Sequence, residues 1–342
     1  MDDMAKKEVQ IATDFSLTLM RWFRENGREL PWRETNDPYA IWLSEIILQQ
    51  TQVKQGWAYW ERFMRRWPTV EALANATEDE ILREWQGLGY YSRARNLHFA
   101  AKQIVGMGGF PQTIEGIKAL KGVGDYTAAA IGSFAFGSKA AVVDGNVYRV
   151  LARHYGIQTP INTTEGKKEF AALAESLLPS SDYGTYNQAI MDFGAIQCTP
   201  QSPKCIVCPL QASCIALRTG KVEVLPIKQK TLKIKNRHLV YIYVRCKGMT
   251  AIHRRGEGDI WQGLWEPLLM EEGRWKKEEG IVLRCVAKDV RHVLTHQVIT
   301  ADFYLWETDV RPTLPEDYIW IKEKDIDNYG IPRLVDKLLS FL

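Results

Sequence analysis

Apolar residues recur at spacings of three and four from Phe15 to about Leu217, and this pattern predicts helices throughout that stretch. WLSEIILQQTQVKQGWAYWERFMRRW carries the period as an amphipathic helix. TVEALANATEDEILREW reads as two short helices, and ARNLHFAAKQIVGM as another. Glycines end them, as in GLGYYS and MGGFP. After Pro226 the chain turns to β-branched and aromatic runs, several of them alternating: HLVYIYVRC, MTAIHRR, RHVLTHQVITADFYLWE and YIWI. PRLVDKLLSFL then predicts a closing helix. The pattern therefore predicts an all-α domain over 1–227, a basic linker over 228–235 and a smaller α+β domain over 236–342. There is no internal repeat and no low-complexity tract.

Composition adds limits rather than a function. At 342 residues, 46% hydrophobic and 25% charged, the chain is of ordinary globular type and long enough for two domains. No run of about 18 apolar residues suggests a membrane span. The polar start MDDMAKKEVQIATDF does not resemble a secretory leader, so a reducing, cytoplasmic setting is expected. Net charge is only +3, with 25 basic and 24 acidic residues up to Lys228 and 19 and 17 beyond it. Global charge thus argues neither for nor against a nucleic-acid partner, and only local clusters could make such a surface. KQKTLKIKNR, residues 228–237, has five basic residues and no acidic one; on charge alone it reads as a solvated linker.

Candidate chemistry changes the picture more. Cys198, Cys205, Cys208 and Cys214 are spaced C-x6-C-x2-C-x5-C, a set that could hold zinc or an iron–sulfur cluster, and ligand chemistry leaves both open. Disulfides are not expected in a reducing compartment. Cys246 and Cys285 fall in strand-like runs and are expected to be buried fillers. In LKGVGDYT, Gly122 and Gly124 permit positive φ and leave backbone amides open at a helix start. Such amides suit a phosphate oxygen, although GxG alone also fits a plain turn between helices. Glu45 lies on a mostly apolar helical stripe, with Ile41 and Trp42 one turn before it and Leu48 and Gln49 one turn after. Burial would raise its pKa and suit it to donate a proton, whereas partial exposure would make it a salt-bridge residue. Asp144 precedes GNVYRVLARHYG, where an aspartate caps a helix; the amides and the helix dipole are expected to keep it ionised.

The order of LKGVGDYT, then VVDGNVYRV, then the four cysteines resembles the endonuclease III superfamily of helix–hairpin–helix DNA glycosylases. Within it, lyases resemble LPGVGRKTA, whose lysine forms a Schiff base with the sugar. Tyrosine at 126, and WLSEIILQQTQV around Glu45, resemble the MutY family of adenine glycosylases. The resemblance implies a [4Fe–4S] cluster on Cys198, Cys205, Cys208 and Cys214, with Lys204 inside a DNA-contacting loop. It implies a phosphate grip at Lys121, Gly122 and Gly124, and a monovalent cation held by the hairpin carbonyls. Glu45 would be the general acid and Asp144 the anion beside the sugar, with Tyr126 and Asn146 orienting them. Trp32, Arg33, Leu48 and Gln188 would meet the adenine, and Gln50 and Tyr90 would wedge near the lesion base.

The same resemblance makes the C-terminal domain Nudix-like, with IWQGLWEPLL at a related Gly-Leu-Trp segment. The REUXEE box of Nudix hydrolases is absent and EEGRWKKEEG does not supply it, so this domain is expected to bind rather than hydrolyse. Leu294, Thr295 and His296 stand where the family loop reads Phe-Ser-His; hydroxyl and imidazole are kept, and the aromatic is leucine. The implied reaction is water-dependent removal of adenine opposite 8-oxoguanine or guanine in double-stranded DNA, by a monomer at the bacterial nucleoid. The alternatives are a thymine-mismatch glycosylase, a bifunctional pyrimidine-lesion glycosylase and a non-catalytic iron–sulfur DNA-binding protein.

Overall fold

The computed structural model describes residues 2–229, 234–270 and 281–342, with side chains from residue 14 onward. Part of the basic stretch (230–233) and the segment EEGRWKKEEG (271–280) lie outside the described residues. The helices are α1 (Asp2–Asn26), α2 (Pro38–Leu48), α3 (Val53–Arg66), α4 (Val70–Asn75), α5 (Glu78–Glu84), α6 (Ser92–Gly106) and α7 (Ile114–Lys118). There follow α8 (Asp125–Phe136), α9 (Gly145–Tyr155), α10 (Thr164–Ser176), α11 (Tyr183–Asp192), α12 (Ile215–Arg218) and, at the end, α13 (Arg333–Leu339). The strands are β1 (Lys235–Cys246), β2 (Met249–Arg254), β3 (Trp265–Glu266), β4 (Leu268–Met270), β5 (Arg284–Val293), β6 (Gln297–Glu307) and β7 (Tyr318–Lys322). An all-α segment thus precedes an α+β one, the order the sequence predicts.

The chain forms two compact units: Met1–Gln50 with Ala100–Lys230, and Thr51–Phe99 with Thr231–Leu342. In the first, α2 is a central helix. Asp37 caps it by accepting from Tyr39 N at 3.0 Å, Pro38 opens it, and every residue from Tyr39 to Ile47 is buried. A helix apolar on all sides is buried on all sides. The single amphipathic helix expected across this stretch is therefore corrected to two. Only α3 has one wet face, and the break falls at Gln49–Gln52, where Gln50 takes a left-handed φ of 56°. α2 packs against α8, α8 packs on α11 and α11 on α9. Phe15, Leu19, Val147, Leu151, Phe170 and Tyr186 lie in a core shared by α1, α8, α9, α10 and α11. A side chain buried as fully as Leu19 or Leu151 stabilises by ~1.5–3 kcal/mol.

In the second unit, Phe63, Trp67 and Trp85 stack together under α3 and α5, and Thr77 with Glu80 forms a capping box at the start of α5. The sheet runs β3–β2–β1–β6–β5, with β4 also on β1 and β7 on β2; β1 and β6 are parallel and the remaining pairs antiparallel. Leu239, Tyr241 and Tyr243 on β1 and Ala301, Phe303 and Leu305 on β6 send alternate side chains into one core against α13. Cys246 is buried as expected. Cys285 is exposed, which corrects the expectation for it: it lies on β5, a strand with one neighbour and mostly wet faces.

Candidate active site

Three elements of the first unit bring together residues that lie far apart in sequence. Glu45, on the last turn and a half of α2, is buried, while Tyr126 on α8 and Asp144 at the start of α9 are half-buried. The Tyr126 hydroxyl donates to Glu45 Oε2 at 2.8 Å and also lies 3.5 Å from Met191 Sδ on α11. Removal from water pushes the Glu45 carboxyl up to about 7; the Tyr126 hydrogen bond pulls it down, the Asp144 charge adds to the rise and Arg33 opposes it. A salt-bridged surface glutamate is therefore excluded by burial.

Asp144 is the helix cap that the sequence suggests. Its Oδ1 accepts from Asn146 N and Val147 N, both at 2.8 Å, and its Oδ2 from Asn146 Nδ2 at 2.8 Å. These three bonds favour the ionised form of the carboxyl. Removal from water raises it above the ordinary aspartate value, and the Val147 and Asn146 bonds only oppose the rise. Asn146 is itself fixed: Arg149 Nη2 donates to its Oδ1 at 2.8 Å and to Gly194 O at 2.6 Å, while Arg149 Nε donates to Cys198 O at 2.7 Å. A continuous polar path thus joins the cysteine loop to Asp144. It depends on Gly194, in a turn of π-helix (Phe193–Gln197), where a Cβ would stand 2.6 Å from Asn146 Cβ.

The other expected adenine contacts lie in the same unit. Trp32 is buried in a turn of 3-10 helix (Pro31–Arg33), and Leu48 is half-buried at the end of α2. Gln188 is half-buried on α11, one turn before Met191. Arg33 is engaged differently from a free pocket-lining group, because both of its Nη atoms donate to Asp192, at 2.9 and 2.8 Å. Arg149, Met191 and Asp192 were not singled out in the sequence. Two of them carried a signal: Asn146, Arg149 and Arg153 fall on one face of α9, and Asp192 interrupts the apolar run AIMDFGAI.

At the hairpin, Gly122 has φ 80°, a left-handed turn that favours glycine. Gly124 does not use that freedom: its φ is −100°, extended backbone at the N-cap of α8. Nothing lies within 4 Å of where a Gly124 side chain would begin, so the α8 amides behind it stay open. Lys121 is exposed and donates its own amide to Gln103.

Cys198, Cys205, Cys208 and Cys214 are free thiols lining one small cavity together with Arg153 and Gln197. Among the described residues no three His, Cys, Asp or Glu are grouped closely enough to hold a single metal ion. Zinc would draw four sulfurs to about 2.3 Å from one centre, whereas an iron–sulfur cube places each thiolate on a separate iron. Arg153 Nη1 lies 3.4 Å from Cys198 Sγ and also donates to Thr199 O at 2.7 Å. Burial pushes the Cys208 thiol up to about 11, with the neighbouring cysteines adding to the rise, so ionising this set calls for a cation. Lys204 is exposed between Cys198 and Cys205.

In the second unit, Leu294, Thr295 and His296 form the turn between β5 and β6, closed by Leu294 N donating to Gln297 O at 2.8 Å. Thr295 and His296 are exposed, while Leu294 packs against the sheet core, a placement unlike that of a projecting wedge. The Thr295 hydroxyl is hydrogen-bonded to that of Tyr90, an exposed residue held at a left-handed φ of 48°. The two flank a cavity of about 320 Å³ walled also by Tyr91, Trp261, Leu294 and His296.

Comparison with known proteins gives this geometry a context. Residues 43–179 match the model of the HhH-GPD superfamily base excision DNA repair proteins, and residues 240–341 that of the NUDIX domain. The chain is 32% identical to an adenine DNA glycosylase of Buchnera aphidicola subsp. Acyrthosiphon pisum, across 95% of this chain and 97% of that protein. It is 41% identical to a human adenine DNA glycosylase over 64% of this chain and 42% of the human protein. Among solved structures, a thermostable thymine-DNA glycosylase is similar with a TM-score of 0.57 and 32% identity, covering 63% of this chain and 99% of that one.

Proposed function

The chain belongs to the adenine DNA glycosylase family, and from that premise we propose that it removes adenine paired with 8-oxoguanine or guanine in duplex DNA, by hydrolysis and without a lyase step. The observation that carries the reading is the buried Glu45 carboxyl, poised at about 7 beside Asp144. Adenine is a poor leaving group until its basic N7 is protonated, and an acid with a pKa near the working pH is the most effective donor. Thymine has no N7, so a thymine glycosylase has no use for such an acid.

The residues divide the work. Glu45 gives its proton to N7, the bond from C1′ to N9 breaks, and its electron pair leaves with the base. The sugar becomes oxocarbenium-like, and the Asp144 carboxylate stabilises that charge. Three N–H groups donate to Asp144 and only a phenol to Glu45, which favours Asp144 as the ionised member of the pair. Water then adds at C1′, its proton passes to the Glu45 carboxylate, and an abasic site results. No lysine lies on α8, where the residues run from Asp125 to Phe136, so no amine is placed there to form a Schiff base. Tyr126 orients Glu45, Asn146 orients Asp144, and Trp32, Leu48 and Gln188 are the adenine contacts.

The base must leave the stack to reach this site. Gln50 and Tyr90, both exposed and both at left-handed φ, are the wedge residues; Tyr90 with Thr295 and His296 reads the 8-oxoguanine. Lys121, Gly122 and the open amides behind Gly124 grip a phosphate, and the hairpin carbonyls are the candidate site for a monovalent cation. Cys198, Cys205, Cys208 and Cys214 would hold a [4Fe–4S] cluster, whose bonds to the four thiolates would tie the loop into one shape. The test is incubation with duplexes carrying A opposite 8-oxoguanine, A opposite G, and T opposite G. Free adenine from the first two, with strand breaks appearing only after alkali, is expected. Release of thymine instead, or strand breaks without alkali, contradicts the reading.

A further inference from the structure

Among the buried charged groups to which the mechanism gives no task, one lies next to the candidate site. Asp192, the last residue of α11, is wholly buried. Its carboxylate accepts from Arg28 N at 2.9 Å, Arg28 Nε at 3.0 Å and Arg28 Nη2, and from Arg33 Nη1 and Nη2 at 2.9 and 2.8 Å. Arg33 Nη1 also donates to Arg28 O at 2.9 Å, and the guanidinium lies over the Phe23 ring, 5.4 Å from its centroid. These contacts fix Arg33 in one orientation, beside the start of α2 and within electrostatic reach of Glu45.

We propose that Asp192 is a positioning residue for the acid: it locks Arg33 in place and cancels its charge, so that Glu45 holds its proton at neutral pH. The proposal rests on Glu45 being the acid. Tyr126 from α8 donates to Glu45 and touches Met191, the residue before Asp192. The charges of Asp144 at the start of α9 and, more weakly, of Arg33 in the 31–33 turn also reach Glu45, and Arg33 is the cation among them. A cation beside a carboxyl favours the charged form, and in a site removed from water it does so strongly. Two arginines and one aspartate leave one net positive charge in the Asp192 cluster. Removing the aspartate leaves two, and the less exposed of them is Arg33, the one near Glu45. Arg33 then draws the proton off Glu45. Asp192 itself stays ionised: burial works against it, but the bonds from Arg33 and Arg28 more than offset that and hold its carboxyl below the ordinary value.

The test is the pH dependence of kcat/KM for adenine release in wild type, Asp192→Asn and Arg33→Gln. In wild type the rate declines above about pH 7, where Glu45 loses its proton. In Asp192→Asn the decline is expected to begin at least about one pH unit lower, with an approximately tenfold loss at mildly alkaline pH and recovery on acidification. In Arg33→Gln it is expected to move to higher pH. A residue that only supported the fold would lower the rate at every pH and move neither limb. The carboxyl infrared band of Glu45, identified as the one missing in Glu45→Gln, gives the same titration without any activity. If wild type releases no adenine, the functional reading fails and this band still decides the present inference. An Asp192→Asn limb and band that match wild type, in a folded chain, overturn it. So does an unmoved or lowered limb in Arg33→Gln, the variant that decides the matter if Asp192→Asn does not fold.

Discussion

At the scale of single residues, the candidate site is a contrast between two carboxylates, one buried and one half-buried. Glu45 has lost water and gained a single phenol; Asp144 has lost water and gained a helix start. Glu45→Gln keeps the shape and removes the proton, so adenine release is expected to fall by about 10²–10⁴-fold with duplex binding retained, measured by single-turnover release beside a binding titration. Tyr126→Phe removes a hydrogen bond that favours the ionised form of Glu45. Its pKa then rises, and the alkaline limb of the rate profile is expected to move upward from about pH 7. Both carboxylates were legible in the sequence as candidates, because a charge inside WLSEIIL and an aspartate before a helical run are visible anomalies. The raised Asp144 carboxyl was not legible. It depends on how much water the surrounding helices remove, a quantity that no spacing encodes.

At the scale of elements, α9 both builds the site and could be mistaken for its purpose. Substituting Asp144 separates the two. Asp144→Asn keeps an oxygen for the cap and loses the charge, so near-complete loss of cleavage with little change in Tm is expected. Asp144→Ala loses the cap as well and is expected to unfold with about 1 kcal/mol less stability, as read by denaturant titration. Gly194 offers a second test. Its missing side chain lets the π-turn press against Asn146, and Gly194→Ala is expected to slow cleavage by displacing Asn146, an effect visible as lower kcat. Helices and strands were largely legible from periodicity, including the two short helices in TVEALANATEDEILREW. The break between α2 and α3 was not, since both halves keep helical spacing and only packing shows that α2 is buried on all sides. The conformation at Gly124 was left open by the sequence for a related reason. A glycine permits positive φ without requiring it, and a helix cap needs extended backbone.

At the scale of the whole molecule, two separately packed units carry two recognitions: the base to be removed in the first and, on this reading, the lesion left behind in the second. Thr295→Val removes a hydroxyl hydrogen-bonded to Tyr90 and is expected to erase the preference for 8-oxoguanine over guanine while cleavage opposite guanine continues, as competition between the two duplexes would show. The order of domains was legible because the pattern changes sharply after Pro226. The hydroxyl pair was not, since Tyr90 and Thr295 are brought together only by folding. The central claim is that a buried acid releases adenine by protonating N7. Its most direct test is a duplex carrying 7-deazaadenine, which lacks that nitrogen, opposite 8-oxoguanine. The account predicts that this duplex binds as well as the adenine one and releases no base; release at a rate comparable to adenine would contradict it.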